Sequence, residues 1–406
     1  MAYRANQVFD VIIAGGGIAG FALACCLKDA LGAGVKVLVV EPRLGESEGR
    51  ERASAISAGS RRLFERIGAW EAIGPRAQPI HTMVITDGRA HDAARPVQMR
   101  FKESGDEALA HMAMNDDIIA SLAALAERLG VECVKAQVAG FSHSSYTVEA
   151  SIEGAAIRSR LLVAADGARS KLRALADIAT VGWDYGQSAI VATIAHERDH
   201  HGRAEQHFLP AGPFAVLPLP GGRSSIVWNE ARGDAEALLG LDADDFKRRL
   251  EARFTLKLGE IEVASKPRAF PLAYRIARRF VAERFALIGD AAHLVHPLAG
   301  QGLNLGLRDV AALAQRIVEQ MRLGLDPGAN QVLEDFERAR RFDVAASGLG
   351  MDFMNRLFSN DGASLRAARD FGLRLVDRTP ALKRLLIDEA AGGRGAAPRL
   401  LLGQAI

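Results

Sequence analysis

Residues 9–14 form a short apolar, β-branched run that stops at GGGIAG, residues 15–20, and apolar side chains then recur with helical spacing through Leu23 and Leu27. A second β-branched run, residues 35–40, ends at Glu41. This order leaves little choice of fold, because it spells strand, tight turn, helix and strand within one short unit. Gly15, Gly17 and Gly20 take the GxGxxG spacing, with Ala19 inside it. In such a unit the first glycine makes the turn and the second lets a pyrophosphate approach the backbone. The third lets the helix pack on the strand. Glu41 stands about 20 residues past the turn, where a carboxylate can hold ribose hydroxyls. The unit predicts a Rossmann-like α/β domain holding a dinucleotide, with Gly15, Gly17, Ala19, Gly20 and Glu41 around it.

A second informative stretch lies far along the chain. Residues 285–309 read FALIGDAAHLVHPLAGQGLNLGLRD. The apolar residues 285–288 end at Gly289-Asp290, as a strand ends at a turn. A loop with Pro297, Gly300 and Gly302 follows, and helical periodicity opens near Leu303. A helix start of this kind exposes unpaired N–H groups and the positive end of a dipole, which suits an anion or a developing negative charge. Gly302, Leu303 and Asn304 are candidate donors there, and Asp290 is a candidate acceptor for ligand hydroxyls. A third stretch, AADGARSKLR at residues 164–173, reads as a strand end, an Asp166-Gly167 turn and a helix start. It leaves Arg169 and Arg173 ready for phosphate. Asp–Gly alone is a common hairpin turn, so it counts only beside the other two stretches.

Together these stretches resemble the aromatic-ring flavin hydroxylases. The wording HPxAGQGxNLGxxD, from His296 to Asp309, is similar to their ubiquinone-biosynthesis branch. WDYGQSAIV, GPFAVLPLP and SIVW, at residues 183–191, 212–220 and 225–228, extend the resemblance over most of the chain. It implies FAD as cofactor, NAD(P)H as reductant and O2 as co-substrate, with hydroxylation of a phenolic ring through a flavin C4a-hydroperoxide. It implies that Asn115 and Arg52 lie near FAD, Arg52 toward the flavin end; from the residues alone, Arg52 is equally a solvated surface charge. It implies that Asp166 and Gly167 lie near the pyrophosphate, and Asp290 near the ribityl or pyrophosphate region. Pro297 would lie over the isoalloxazine, with Gly300 and Gln301 shaping the oxygen-reacting face. The chain holds one complete GxGxxG, at its N-terminal end. No second fingerprint serves NAD(P)H, which fits single-component hydroxylases and not two-fingerprint disulfide reductases. The base for a phenol proton stays open among Tyr185, Tyr274, His293 and His296. His296, beside Pro297, is grouped with the catalytic residues.

The implied substrate is a polyprenylated phenol or benzoquinol of ubiquinone biosynthesis. Rival readings are a hydroxylase of a small soluble aromatic and a low-turnover flavin-fold subunit of a ubiquinone-biosynthesis complex. Such a complex, and a homodimer, stand as possible partners.

The rest of the chain reads as scaffold around these stretches. Residues 80–101 alternate as a sheet insertion, and residues 115–129 are an amphipathic helix with Ile118, Leu122, Leu125 and Leu129 on one face. Residues 183–270 read as strands punctuated by proline and glycine. Residues 331–345 read as a helix, and residues 392–398 as a loose tail. Residues 351–387 mix Phe353, Leu357, Phe371 and Leu375 with Arg356, Arg366 and Arg374. They suit helices with solvated basic faces, or a basic amphipathic surface for an anionic membrane or a partner. The expected division is a discontinuous FAD-binding domain (1–75, 111–180 and 276–345), a mixed or antiparallel β-sheet substrate domain (76–110 and 181–275) and a C-terminal helical region (346–406).

Composition excludes more than it proposes. A formal net charge of +2 and the lack of a dense Lys/Arg run give no nucleic-acid footprint. The uncharged residues 11–27 are broken by Gly15, Gly16, Gly17 and Gly20, so they read as strand–turn–helix and not as a span of about 20 apolar residues. No small-residue cleavage site follows them. Three cysteines, Cys25, Cys26 and Cys133, suit a reducing cytoplasm and buried positions. The expected location is cytoplasmic, with peripheral contact at the inner membrane open. His196, Asp199, His200 and His207 read as a polar loop and not as a metal site, because no third ligand at a set spacing joins His196 and His200.

Overall fold

The structure is a computed structural model, and it describes residues 7–46, 52–88, 96–103, 107–254, 257–296, 300–358 and 397–406. Among them the strands make three sheets. The first is built on parallel strands in the order Phe285–Leu287, Ala155–Ala164, Val8–Ala14, Val37–Val40 and Glu132–Val134. Its central strand, VFDVIIA, is nearly apolar throughout because strands pair with both of its edges and its side chains are buried along most of its length. Helix Ile18–Leu31 follows it and buries residues 20–27 without interruption, packed against helices Asn115–Arg128 and Gln301–Arg322. Burying a side chain such as Phe21 or Leu23 contributes about 1.5–3 kcal/mol.

The second sheet has nine strands, and its spine is the 17-residue strand Thr180–His196. Arg268–Ala277 and Arg223–Ala231 flank it antiparallel, and Gly212–Leu219 and Arg203–Leu209 continue outward. Thr82–Asp87 joins parallel to Arg203–Leu209, so residues 82–87 and 97–102 do enter this sheet. A short strand, His293–Leu294, pairs with Arg268–Ala277 and ties the sheet to the loop after Phe285–Leu287. A third sheet joins Ala53–Ser57, Ala110–Met114 and Gln78–Ile80; the first two strands carry no clear period in the sequence.

Three helices depart from the sequence reading. Helices Arg232–Leu239 and Ala243–Phe254 stand where strands alone are expected. Phe246, Leu250 and Phe254, four residues apart, bury against Trp228 and Phe214 on the back of the large sheet, so a helical period was present there. Residues 330–358 form one continuous helix, Asn330–Phe358, running past position 346 without a break. Gly348 does not interrupt it. A Cβ at Gly348 would stand 2.7 Å from Tyr274 Cε2, so the glycine lets the helix lie flat on the sheet. Of the expected loose tail, residues 392–396 lie outside the described residues; just past it, the turn Arg399–Leu402 lies on helix Ala58–Arg66, with Leu400 and Leu401 buried. Pro297, most of the expected C-terminal helical region and its basic residues Arg366 and Arg374 lie outside the described residues.

Candidate active site

Three parallel strands deliver the three sequence stretches to one edge. Ala14 pairs with Ala164, and Ala164 with Leu287. The turns that follow are knitted together: Ala165 N–H donates to Ala14 O at 2.7 Å, and Ile288 N–H to Ala164 O at 3.1 Å. Gly15 has φ +111°, and a Cβ there would fall 2.3 Å from the Ala165 carbonyl oxygen. A Cβ at Gly20 would fall 1.9 Å from Gly15 O. Neither position can hold a side chain. Gly17 differs, because no atom lies within 4 Å of where its Cβ would be. It begins a helix with no side-chain cap and no acidic residue in its first turn, which leaves N–H groups and a positive dipole end facing open space. Ala19 meets the second stretch: a Cβ on Gly289 would touch its methyl at 3.4 Å. Glu41 is held beside the turn, accepting from Gly16 N–H at 2.6 Å and Arg43 N–H at 3.0 Å.

On the other side of this recess stands Asp290. Its side chain keeps solvent access, although protein atoms surround the carboxyl. That crowding raises its carboxyl above the usual range, with His293 and Arg52 pulling the other way. Arg52 lies over the Phe270 ring at 4.9 Å, and its carbonyl accepts from Asn115 N–H at 2.8 Å. Asn115 in turn accepts from Ser54 Oγ at 2.7 Å. Asp166 accepts from Leu172 N–H at 3.4 Å within its own loop, and Gly167 turns that loop with φ +83°.

Helix Gln301–Arg322 opens at Gln301, two residues before the sequence reading places it, because Gly300 caps it in the left-handed conformation (φ 64°, ψ 25°). A Cβ at Gly300 would press on Ala55 Cβ at 3.0 Å, whereas one at Gly302 would meet nothing within 4 Å. The helix has no side-chain cap and no acid in its first turn. The Asn304 side chain is committed internally: Oδ1 accepts from Ser57 N–H (3.0 Å) and Ser60 Oγ (2.8 Å), while Nδ2 donates to Ala55 O and Gly300 O. It locks the helix start to strand Ala53–Ser57. Leu303 packs partly buried beside it.

Sequence reasoning missed the network beneath this loop. Asp309 is fully buried, accepting from Gly289 N–H at 2.9 Å, from His293 Nε2 at 2.6 Å and from Arg340 Nε at 2.7 Å. Burial pushes its carboxyl up, but His293 and Arg340 outweigh that, and the net direction is down. Arg173 is not free for phosphate as expected. It donates to Ala291 O at 2.7 Å and Ala168 O at 3.2 Å, clamping the second stretch to the third.

His296 is 1% exposed and meets Tyr185 edge to face, ring centroids 5.2 Å apart. Burial lowers its imidazole to about 4, with Asp352 opposing. The glycine turn, the loop of Gly289 and Asp290 and the first turns of helix Gln301–Arg322 are therefore packed against one another.

A family described as FAD binding domain matches residues 8–346. The chain belongs to this family of FAD-dependent monooxygenases. The residues present fit the cofactor of the flavin monooxygenases, since Gly17 and Gly302 face open space and both adjoining helix starts are uncapped. The chain is 40% identical to the ubiquinone hydroxylase UbiL of Rhodospirillum rubrum over 410 residues, 98% of this chain and 94% of that protein. It is 33% identical to the mitochondrial ubiquinone biosynthesis monooxygenase COQ6 of Danio rerio over 438 residues, 94% and 89% of the two chains. Among solved structures, p-nitrophenol 4-monooxygenase PnpA from Pseudomonas putida DLL-E4 shares the fold, with TM-score 0.78, 21% identity and coverage of 96% and 99%. The mixed α/β architecture and the flavin-hydroxylase resemblance therefore hold for this flavin monooxygenase.

Proposed function

We propose that this flavin monooxygenase hydroxylates the ring of a polyprenylated phenol or benzoquinol in ubiquinone biosynthesis, using NAD(P)H and O2. The observation that carries the reading is the likeness to ubiquinone hydroxylase UbiL over nearly the full length of both chains. Bound FAD supplies hydride acceptance from NAD(P)H and activation of O2. The remaining work falls to the chain. Backbone N–H groups around Gly15, Gly17, Ala19 and Gly20 hold the pyrophosphate, Glu41 a ribose, and Asp166 and Gly167 the facing loop. Asp290 accepts from ribityl or pyrophosphate-side hydroxyls, and Arg52 and Asn115 border the flavin end. The N–H groups of Gly302, Leu303 and Asn304 stabilise negative charge at the helix start. Gly300, Gln301, Pro297 and His296 shape the face where the ring is oxidised.

Among the described residues no helix is long and apolar enough to cross a membrane. Peripheral contact with the inner membrane, a ubiquinone-biosynthesis complex and a homodimer belong to the proposal. Phe342, Leu349 and Phe353, each more than half exposed on helix Asn330–Phe358, are where we place the membrane contact. Quinone analysis of a deletion strain tests the whole reading. The accumulated intermediate should lack one ring hydroxyl, and unchanged ubiquinone would refute it.

A further inference from the structure

The loop after strand Phe285–Leu287 is fastened at Asp309. Its Oδ2 accepts from Gly289 N–H at 2.9 Å and from His293 Nε2 at 2.6 Å, and its Oδ1 accepts from Arg340 Nε at 2.7 Å. Gly289 and His293 bracket Asp290, so two of these bonds hold the segment that carries it. Of the three donors, Arg340 alone lies outside residues 285–309. Its guanidinium is 4% exposed and works as a fork. Nε is on Asp309, Nη1 on Asp343 of its own helix, and Nη2 on Leu305 O at 3.4 Å in helix Gln301–Arg322. A planar guanidinium meets three acceptors in one fixed geometry, which an ammonium does not.

The helix that carries Arg340 has its own footing on the large sheet. Twelve residues farther on, about 18 Å along the axis, Asp352 accepts from Trp183 Nε1 at 3.0 Å. Between the two, Gly348 lets the helix rest on Tyr274. Trp183 and Tyr274 face each other on paired strands of that sheet, with their rings stacked at 4.7 Å. One helix thus runs from the large sheet to the carboxylate that holds the loop of Asp290.

We propose that Arg340 is a positioning residue for the flavin: it carries the placement of helix Asn330–Phe358 on the large sheet to Asp309, and through Asp309 it sets the Gly289 amide and the Asp290 loop against the cofactor. The assignment rests on the reading of Asp290 given above, as an acceptor for the ribityl or pyrophosphate-side hydroxyls. Arg340 is not a catalytic residue, since its described partners are Asp309, Asp343 and the Leu305 carbonyl. Its effect follows from what a buried carboxylate does when a partner is lost. Without Arg340, Asp309 keeps Gly289 N–H and His293, and a buried charge short of partners draws in water or a proton. Either one moves the oxygens on which the Gly289 amide is seated, and Asp290 is the next residue.

The test compares Arg340→Met, Asp309→Asn and their double variant with Leu250→Ala, which opens a cavity on the back of the large sheet and lowers stability away from the loop. All are read at a temperature where far-ultraviolet circular dichroism shows them folded. FAD affinity by fluorescence titration should weaken about tenfold or more in Arg340→Met, and the visible circular dichroism of the bound flavin should change. Leu250→Ala should match the wild type in both. The double variant should bind FAD no more weakly than the worse single variant, because both substitutions cut one path. In the FAD-free protein, exchange of the Gly289 amide should quicken about tenfold or more relative to amides of strand Val8–Ala14 in Arg340→Met, and keep its ratio in Leu250→Ala. Arg340→Lys keeps the charge without the fork; it should fall between, and it takes the place of Arg340→Met if that variant does not fold. Wild-type affinity and flavin signal in Arg340→Met, an equal loss in Leu250→Ala, or losses that add in the double variant overturn the assignment. A wild-type protein that takes up no FAD sinks the flavin reading instead; the Gly289 exchange still reads the tie, and an unchanged ratio in Arg340→Met overturns it.

Discussion

Replacing His296 by Leu measures what an unpartnered buried imidazole does to stability. The ring is 1% exposed, and burial lowers it from 6.5 to about 4. The sign follows from which state takes the proton first. The folded value lies below the unfolded one, so the unfolded chain protonates first as pH falls. Stability is intact above about pH 6.5 and declines until about pH 4. At about 1.4 kcal/mol per pH unit, the full loss is on the order of 3 kcal/mol, of which about 2 kcal/mol falls between pH 7.5 and pH 5. Leu fills a similar volume and also removes two unpaired nitrogens, each costing about 1–3 kcal/mol when buried. Urea midpoints of the FAD-free protein should therefore show His296→Leu at least as stable as wild type at pH 7.5, with the gap widening by about 2 kcal/mol at pH 5. His111 is also lowered to about 4, but it is present in both proteins and cancels in the comparison. Equal losses in both proteins between the two pH values would refute the reasoning. So would a His296 ring resonance that titrates near 6.5.

Three further perturbations follow from other parts of the recess. Gly20→Ala places a methyl 1.9 Å from Gly15 O, so the turn must open; the purified protein should be colourless, and a normal flavin-to-protein absorbance ratio would contradict the geometry. Arg340→Met leaves Asp309 buried with one fewer cation, which should cost about 3–5 kcal/mol in a thermal melt. Because the Asp309 carboxyl lies below its unfolded value, that contribution is present above about pH 4 and is lost as pH falls further, so wild type and Arg340→Met should converge in acid. Arg173→Met removes both guanidinium bonds between the loops of Ala168 and Ala291, worth about 1.5–3 kcal/mol each. FAD affinity by fluorescence titration should weaken at least tenfold, and unchanged affinity would assign Arg173 to stability alone.

What the sequence made legible and what it hid divide along a physical line. The parallel core and its first turn were readable because each need is local. A strand buried on both faces must be apolar, and Gly15 and Gly20 must lack a Cβ whatever surrounds the domain. The helix start was readable to within two residues for the same reason, since Gly300 takes a conformation that favours glycine. The continuous helix Asn330–Phe358 was not, because the glycine-containing residues 346–350 carry it across a close contact of Gly348 with Tyr274, which only the tertiary fold supplies.

The side-chain networks were hidden by distance along the chain. Arg173 looked like a phosphate ligand beside Asp166-Gly167, yet its partner is Ala291 O, 118 residues away. Asp309 carried the motif without revealing that Arg340, 31 residues on, would pair with it. Trp183 and Asp352 are 169 residues apart, and nothing near either announces the other. The Arg173 and Asp309 contacts do the same kind of work: each holds the loop of Gly289 to Ala291 against a helix, so that the backbone beside the glycine turn keeps its place. A site built on backbone N–H groups needs such ties, because it has few side chains of its own to hold its shape. The ties are therefore where substitutions remote from the ligand should act most strongly, and Arg340 and Arg173 are the two positions where that can be measured first.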